Sequence, residues 1–339
     1  MMAKRYGVFL IWLACMIVLA GCSGQTLPAQ TEGNASAGAA LSQTEASGEA
    51  AWPVSFTDST GRTVTLNGTP QRVAVLFSSY ADIWRMAGGQ IAVTVGDAVE
   101  RGFAPQDTPL VDDGAGLKID TELLLANEPD FVIASADLSA QVEVCERLDS
   151  LGIPCAAFTE ESFDDYLSML RLFTSLTGNT GAYQTYGSAV GQEIDRLLGQ
   201  INEAVGEQEP VKVLFIRAGS GYSSTRAKTA KDHFVGKMLE ELGTVNIADE
   251  AGALSEGLAL ESVLTNEPDV ILIVPQGDET ATRAYMDGVL AQSGWRDLKA
   301  VKEGRCHYLS KDLFHYKPNA RWGEAYRTLA GLLYPEAAV

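Results

Sequence analysis

Three histidines are the first residues to test for chemistry, because an imidazole can carry a proton, bind a metal or ligate haem iron. They stand at His233, His307 and His315, and none has a second histidine or a cysteine at metal-ligand spacing. The sequence therefore predicts no bare zinc or iron site. His315 and Tyr316 are the candidates for an axial haem ligand. Of five cysteines, Cys15 and Cys22 belong to an N-terminal apolar stretch, and Cys145, Cys155 and Cys306 remain in the body. Three thiols cannot form a framework of bridges, so buried free thiols are the expectation. A Cys145–Cys155 bridge, from a helix to the start of the next strand, is the alternative. Signatures of catalysis are missing. There is no nucleophile elbow, phosphate loop or carboxylate pair, and Gly219-Ser220-Gly221 follows a strand but lacks the third glycine of a dinucleotide loop. The chain reads as a binder with no catalytic residue, no resident metal and no cofactor of its own.

Charge and composition narrow the partners. The 339 residues include 25 Lys and Arg against 44 Asp and Glu, a formal charge of −19. No basic stripe is available to neutralise phosphates, which excludes nucleic acid. Apolar residues make up 46% of the chain, enough for substantial cores, and the length predicts about two domains.

A repeat shows how those domains are built. Glu122 lies near the start of a run that ends Asn127-Glu128-Pro129-Asp130 and leads into the apolar residues 131–134. Glu261 lies near the start of a second, ending Asn266-Glu267-Pro268-Asp269 and leading into 270–273, at a constant offset of 139 residues. The apolar runs 73–77 and 211–215 match in the same order at an offset of 138. Each copy of the motif reads as a short helix stopped by proline, then a buried strand. A period this long indicates two duplicated lobes, not a solenoid.

In the first lobe, 52–66 reads as a hairpin. Strands at 73–77, 91–95, 131–135 and 155–158 alternate with helices at 79–87, 121–127 and 138–151, and 96–116 reads as a loop. In the second lobe, strands at 211–217 and 270–275 and the segment 304–309 alternate with helices at 234–242, 280–290 and 319–333, and 218–231 reads as a polar loop. This alternation predicts parallel βαβ sheets, with ligands at the carboxyl ends of the strands. Residues 163–177 carry an apolar helical stripe. Residues 182–205 carry another, and their position between the copies makes them the connector. The predicted class is α/β: two Rossmann-like lobes with central parallel sheets, joined by one long interlobe α-helix. The lobes span 52–178 and 209–339, with the helix at 179–208.

At the N-terminus, Lys4 and Arg5 precede an apolar run at 8–19, too short to span a bilayer, that ends Leu19-Ala20-Gly21-Cys22. This resembles a bacterial lipoprotein signal, which implies removal of residues 1–21 and lipidation of Cys22. Residues 22–51 are rich in Ala, Ser, Gly and Thr with no apolar period, so they read as a flexible tether. The expected location is extracytoplasmic, lipid-anchored to the cell membrane.

The hairpin Asp58-Ser59-Thr60-Gly61-Arg62-Thr63-Val64, the Pro70-Gln71-Arg72-Val73 junction, the two Glu-Pro-Asp units and the central helix carry a resemblance. Together they are similar to ABC-transporter substrate-binding proteins of the helical-backbone class, class III, which takes ferric siderophores, haem and cobalamin. The resemblance covers residues 52–335. It implies a ligand cleft between the lobes, little closure on binding, a monomeric receptor, and delivery of a small-molecule metal chelate to an ABC permease and its ATPase. It also implies that Glu122 and Glu261 pair with arginines on the permease. On the residues alone, each of these acids also suits the first turn of a helix. The candidates for the cleft are Ser78, Ser79, Tyr80, Trp84, Arg101 and Phe103 in the first lobe, and Arg217, Tyr222, Arg226 and the run 314–322 in the second, with His315, Tyr316, Arg321 and Trp322 its foremost members. Aromatic walls with a few cations suit a large anionic chelate. Core packing is the competing reading for the two tryptophans, and a solvent-facing helix start for Arg321. A surface sensor on the same bilobed fold is the alternative function, followed by an extracellular metalloenzyme.

Overall fold

The computed structural model describes residues 51–114, 117–206, 208–250 and 258–337. The expected leader, residues 1–21, Cys22 and all but the last residue of the expected tether lie outside the described residues. Among the described residues no helix is long and apolar enough to cross a membrane.

The hairpin β1 (Val54–Thr57) and β2 (Thr63–Leu66) is antiparallel and seated on the first lobe. Asp58, fully buried at its turn, accepts from the amides of Thr60, Arg62 and Ala157 and pairs with Arg62. These donors hold its carboxyl below the usual range against the opposing effect of burial. The lobe's sheet contains β3 (Val73–Val75), β4 (Val93–Thr94), β5 (Phe131–Ser135) and β6 (Cys155–Phe158), all parallel in the order β4-β3-β5-β6.

The second lobe contains β7 (Lys212–Ala218), β8 (Arg226–Ala227), β9 (Val245–Asn246), β10 (Val270–Pro275) and β11 (Cys306–Tyr308). Its parallel strands run β9-β7-β10-β11, the same order as in the first lobe. The repeat is thus a repeat of topology. In each lobe the first strand sits between the second and third, and the crevice at the reversal opens at the strands' carboxyl ends.

The doubled Asn-Glu-Pro-Asp has the same local geometry in both lobes. The side-chain amides of Asn127 and Asn266 donate to the carbonyls of Leu123 and Ser262. Glu128 and Glu267 adopt left-handed backbone, φ 48° and 45°. Asp130 accepts from the amides of Gln71 and Arg72 beside β3, and Asp269 from that of Lys212 on β7. The motif therefore ends a helix and fastens the start of the neighbouring strand.

Helix Phe163–Thr177 leads through Gly178 to an unbroken helical stretch: Thr180–Tyr183, one wide π turn at Gln184–Ser188, then Ala189–Val205. The last segment buries Ile194, Leu197 and Ile201 in a core cluster that runs through both lobes. It packs on the terminal helix Trp322–Leu333, where Glu193 pairs with Arg327. A Cβ on Gly323 would lie 2.6 Å from the Glu193 carboxylate, so glycine permits this close approach.

Three local expectations differ from the structure. Residues 96–116 begin with a helix, Gly96–Glu100, instead of being loop throughout. The polar loop 218–231 folds back through a turn at Tyr222–Ser224 and pairs β8 antiparallel to β7. Cys145 and Cys155 form a disulfide, where free thiols were the expectation, because helix Ser139–Ser150 crosses directly against β6.

Candidate ligand-binding site

The cationic and aromatic candidates meet at the carboxyl ends of the strands. Arg101 caps the helix Gly96–Glu100. Its Nη1 donates to Ser78 Oγ at 2.9 Å and Ser79 Oγ at 3.4 Å, and lies 3.8 Å from Asp97. The Ser78 hydroxyl in turn donates to Asp97. Both serines open the helix Ser78–Met86, directly after β3. The guanidinium then lies over two rings, 4.6 Å from the centroid of Phe103 and 4.1 Å from that of Tyr316. Tyr316 belongs to the second lobe, so this cation–π contact crosses between lobes. Burial lowers the pKa of Arg101, opposed by Asp97, Tyr316, Asp82 and Asp312.

From the second lobe, Arg217 stands one residue before the end of β7. It is half-buried, its Nε is enclosed without a hydrogen-bond partner, and burial lowers its pKa with no acid opposing. His315 follows the short helix Lys311–Phe314 beyond β11. Its Nδ1 is likewise enclosed and unpartnered. Burial, then the charges of Arg217, Lys311 and Arg101, push its pKa down to about 4, so it is neutral at physiological pH. Its ring meets that of Tyr316 edge-on at 5.1 Å. Lys311 Nζ lies 5.8 Å from the Tyr316 centroid and donates to the carbonyl of Gly277. Beside them Lys311, Tyr316, Tyr308, Glu279 and Arg283 line an open hollow of about 530 Å³. Arg101, Arg217 and Lys311 stand around the neutral imidazole of His315, with Asp97 beside Arg101 and Glu279 and Asp312 at the hollow.

Other candidates are elsewhere. Tyr80, Trp84 and Trp322 are in the core, 0%, 2% and 0% exposed. Tyr80 donates to the carbonyl of Phe158, and Trp84 to that of Gln90. A Cβ on Gly89 would fall 2.1 Å from the Trp84 indole, and Trp322 packs edge-on against Phe234 and Phe163. Arg321 faces solvent and pairs with Glu324 in the first turn of the terminal helix. Arg226 donates to the carbonyls of Tyr222 and Thr225, which fixes its own turn, and Tyr222 is 67% exposed at the tip. Ser78 was a sequence candidate and stands in the site, whereas Asp97 and Lys311 were not among the candidates. The four-residue spacing of Asp97 and Arg101 on one helix was the signal for Asp97. Glu122 and Glu261 are exposed in the first turns of the helices Thr121–Ala126 and Leu260–Asn266. Among the described residues no group of three or more His, Cys, Asp or Glu is placed to hold a metal ion.

Residues 73–313 match the profile of the family described as periplasmic binding protein. The chain belongs to that family. A cobalamin-binding protein of Halobacterium salinarum is 24% identical over 226 residues, 65% of this chain and 58% of its own length. The match thus spans less than two thirds of this curated relative. Among solved structures, the periplasmic heme-binding protein RhuT from Roseiflexus sp. RS-1, in apo form, superposes with a TM-score of 0.62 at 21% identity, covering 79% of this chain and 99% of that one. SirA of Staphylococcus aureus, complexed with staphyloferrin B, gives 0.62 at 17% identity, covering 84% and 98%. At these identities the structures establish the shared fold. Arg101 and Phe103 follow β4 and its helix in the first lobe, and Arg217 closes β7 and His315 and Tyr316 lie beyond β11 in the second.

Proposed function

We propose that this periplasmic binding protein is the extracytoplasmic receptor of an ABC importer, which captures a metal chelate in the cleft and delivers it to the membrane permease. The observation that carries the chelate reading is Arg217: a half-buried guanidinium with no acid beside it among the described residues, grouped with Arg101 and Lys311 around His315. Leaving such a cation unpaired costs free energy in the empty protein, and an anionic ligand would recover it. A siderophore with ferric iron, haem and cobalamin are the chelates named for relatives and fold neighbours. Lipid attachment at Cys22 and docking through Glu122 and Glu261 belong to the same proposal. The two acids are exposed at equivalent positions of the repeat and make no ion pair among the described residues.

Fluorescence titration with a carboxylate-type ferric siderophore, haem and cobalamin tests the ligand, with tight binding of at least one expected. Failure of all three, with tight binding of a sugar or an amino acid, removes the chelate. Replacing Glu122 and Glu261 together by Ala tests docking. Affinity should be kept while uptake falls; unchanged uptake would remove the docking role.

A further inference from the structure

Beneath the cleft the lobes meet at a buried acid. Glu160 lies between the end of β6 and helix Phe163–Thr177, 0% exposed, and neither carboxyl oxygen has a hydrogen-bond partner. Its surroundings come from both lobes. The first lobe supplies Glu161, Asp165, Tyr80 and Tyr166, and the second supplies Lys317 and the indole of Trp322.

None of these gives it a hydrogen bond of normal geometry. The Tyr80 and Tyr166 hydroxyls donate to the carbonyls of Phe158 and Tyr186. Asp165 is engaged by Ser162 and the Glu161 amide. Lys317 is the single cation of the group, and its Nζ already donates to Glu161 at 2.7 Å. The Trp322 N–H faces the acid, but neither group completes a bond of normal length. A carboxylate here would be dry and beside two further acids, with the Trp322 N–H its one facing donor and Lys317 turned to Glu161. The neutral acid is the form that fits.

The same second-lobe segment carries the contacts that seat one lobe on the other. Asn319, 2% exposed and left-handed at φ 52°, donates from Nδ2 to the carbonyl of Ser79 and to Asp82 Oδ2, each at 2.9 Å. Three and four residues upstream are Tyr316 and His315 of the candidate site. Residues 315–322 thus join the ligand side of the cleft to the interlobe seam.

We propose that Glu160 is a proton-dependent latch: protonated, it leaves residues 317–322 seated on the first lobe, and deprotonated, it favours a seam opened to water. This rests on the seam alone and stands whichever ligand the cleft takes. Burial raises its pKa to about 8, with Lys317 opposing and Asp165 and Glu161 adding to the rise. In an opened seam the group returns toward the ordinary carboxyl range. The opening equilibrium should therefore rise up to about tenfold per pH unit between about pH 5 and about pH 8, then level off.

Hydrogen–deuterium exchange of the purified protein, corrected for intrinsic rates, reads this in segments 159–166 and 315–322. Protection should fall with pH over that window in the wild type and be flat in Glu160→Gln, which keeps the shape and removes the charge. A flat wild-type profile, or the same slope in both proteins, overturns the latch. Infrared spectroscopy of the wild type provides a second measurement that needs no variant. A buried protonated-carboxyl band should persist at about pH 7 and disappear by about pH 9.5. Its absence at neutral pH would equally overturn the proposal.

Discussion

Arg101 of the first lobe lies over the ring of Tyr316 of the second, 4.1 Å from guanidinium carbon to ring centroid. The cation is aimed by Ser78, Ser79 and Asp97, all from its own lobe, so the aromatic face is the part of the arrangement that crosses. A partly buried contact of this kind contributes about 0.5–2 kcal/mol. Arg101→Ala and Tyr316→Leu should each weaken chelate binding. The double variant should lose less than the sum, with a coupling of about 0.5–2 kcal/mol from a double-mutant cycle on measured Kd values. Strict additivity would mean that the pair does not act together on the ligand.

Arg217 separates binding from stability. Removing one partner of a buried ion pair is costly, because the other charge is left buried and unpaired. Among the described residues Arg217 has no such acid partner, and its Nε is enclosed without an acceptor. Arg217→Ala should therefore lower affinity for an anionic chelate about 10- to 100-fold, the loss of one or two charge-assisted hydrogen bonds. Thermal stability of the empty protein should stay level or rise. A fall in melting temperature with unchanged affinity would make the residue structural. The arginine-to-lysine variant should recover part of the loss, since the charge remains but the planar fork does not.

The sequence disclosed elements whose patterns are self-sufficient. Strand β6 and helix Phe163–Thr177 lie where the apolar patterns place them, because the buried face alone decides their type. The repeat disclosed two lobes, and the shared strand order gives that repeat its physical content. Trp84 and Trp322 were illegible for the opposite reason. An indole suits a cleft wall and a core equally, and only the rotation of its helix decides which it meets. The seam at Glu160 depends on Lys317 reaching Glu161 across 156 residues of chain, a pairing no local pattern encodes. The disulfide needed the distance between a helix and a strand, which spacing along the chain does not supply.

That disulfide is itself testable. Cys145 and Cys155 are fully buried and ten residues apart, joining helix Ser139–Ser150 to β6. Closing so short a loop restricts the unfolded chain by about 2–3 kcal/mol. Reduction, or replacement of both residues by Ala, should lower the unfolding free energy by about that amount, read from urea denaturation with and without reductant. Ligand affinity should be unchanged, because neither cysteine touches Arg101, Arg217 or His315. A loss of affinity that parallels the loss of stability would show that the first-lobe sheet must be braced for the cleft to form.

Glu128 and Glu267 offer the opposite sign. Both are exposed, and both hold left-handed backbone, at φ 48° and 45°, where a helix must turn sharply into Pro129 and Pro268. A residue with a Cβ costs about 1–2 kcal/mol in that region, and glycine does not. Glycine in turn gives the unfolded chain about 0.5–1 kcal/mol more entropy to lose. The strain term is the larger, so Glu128→Gly and Glu267→Gly should each stabilise the protein by about 0.5–1 kcal/mol. The sites lie in separate lobes, so the gains should add in the double variant. Glu122 and Glu261, at the other ends of the same helices, are untouched, so binding and uptake should match the wild type while the denaturation midpoint rises. A destabilised double variant would show that the glutamate side chains make contacts worth more than the backbone strain they impose.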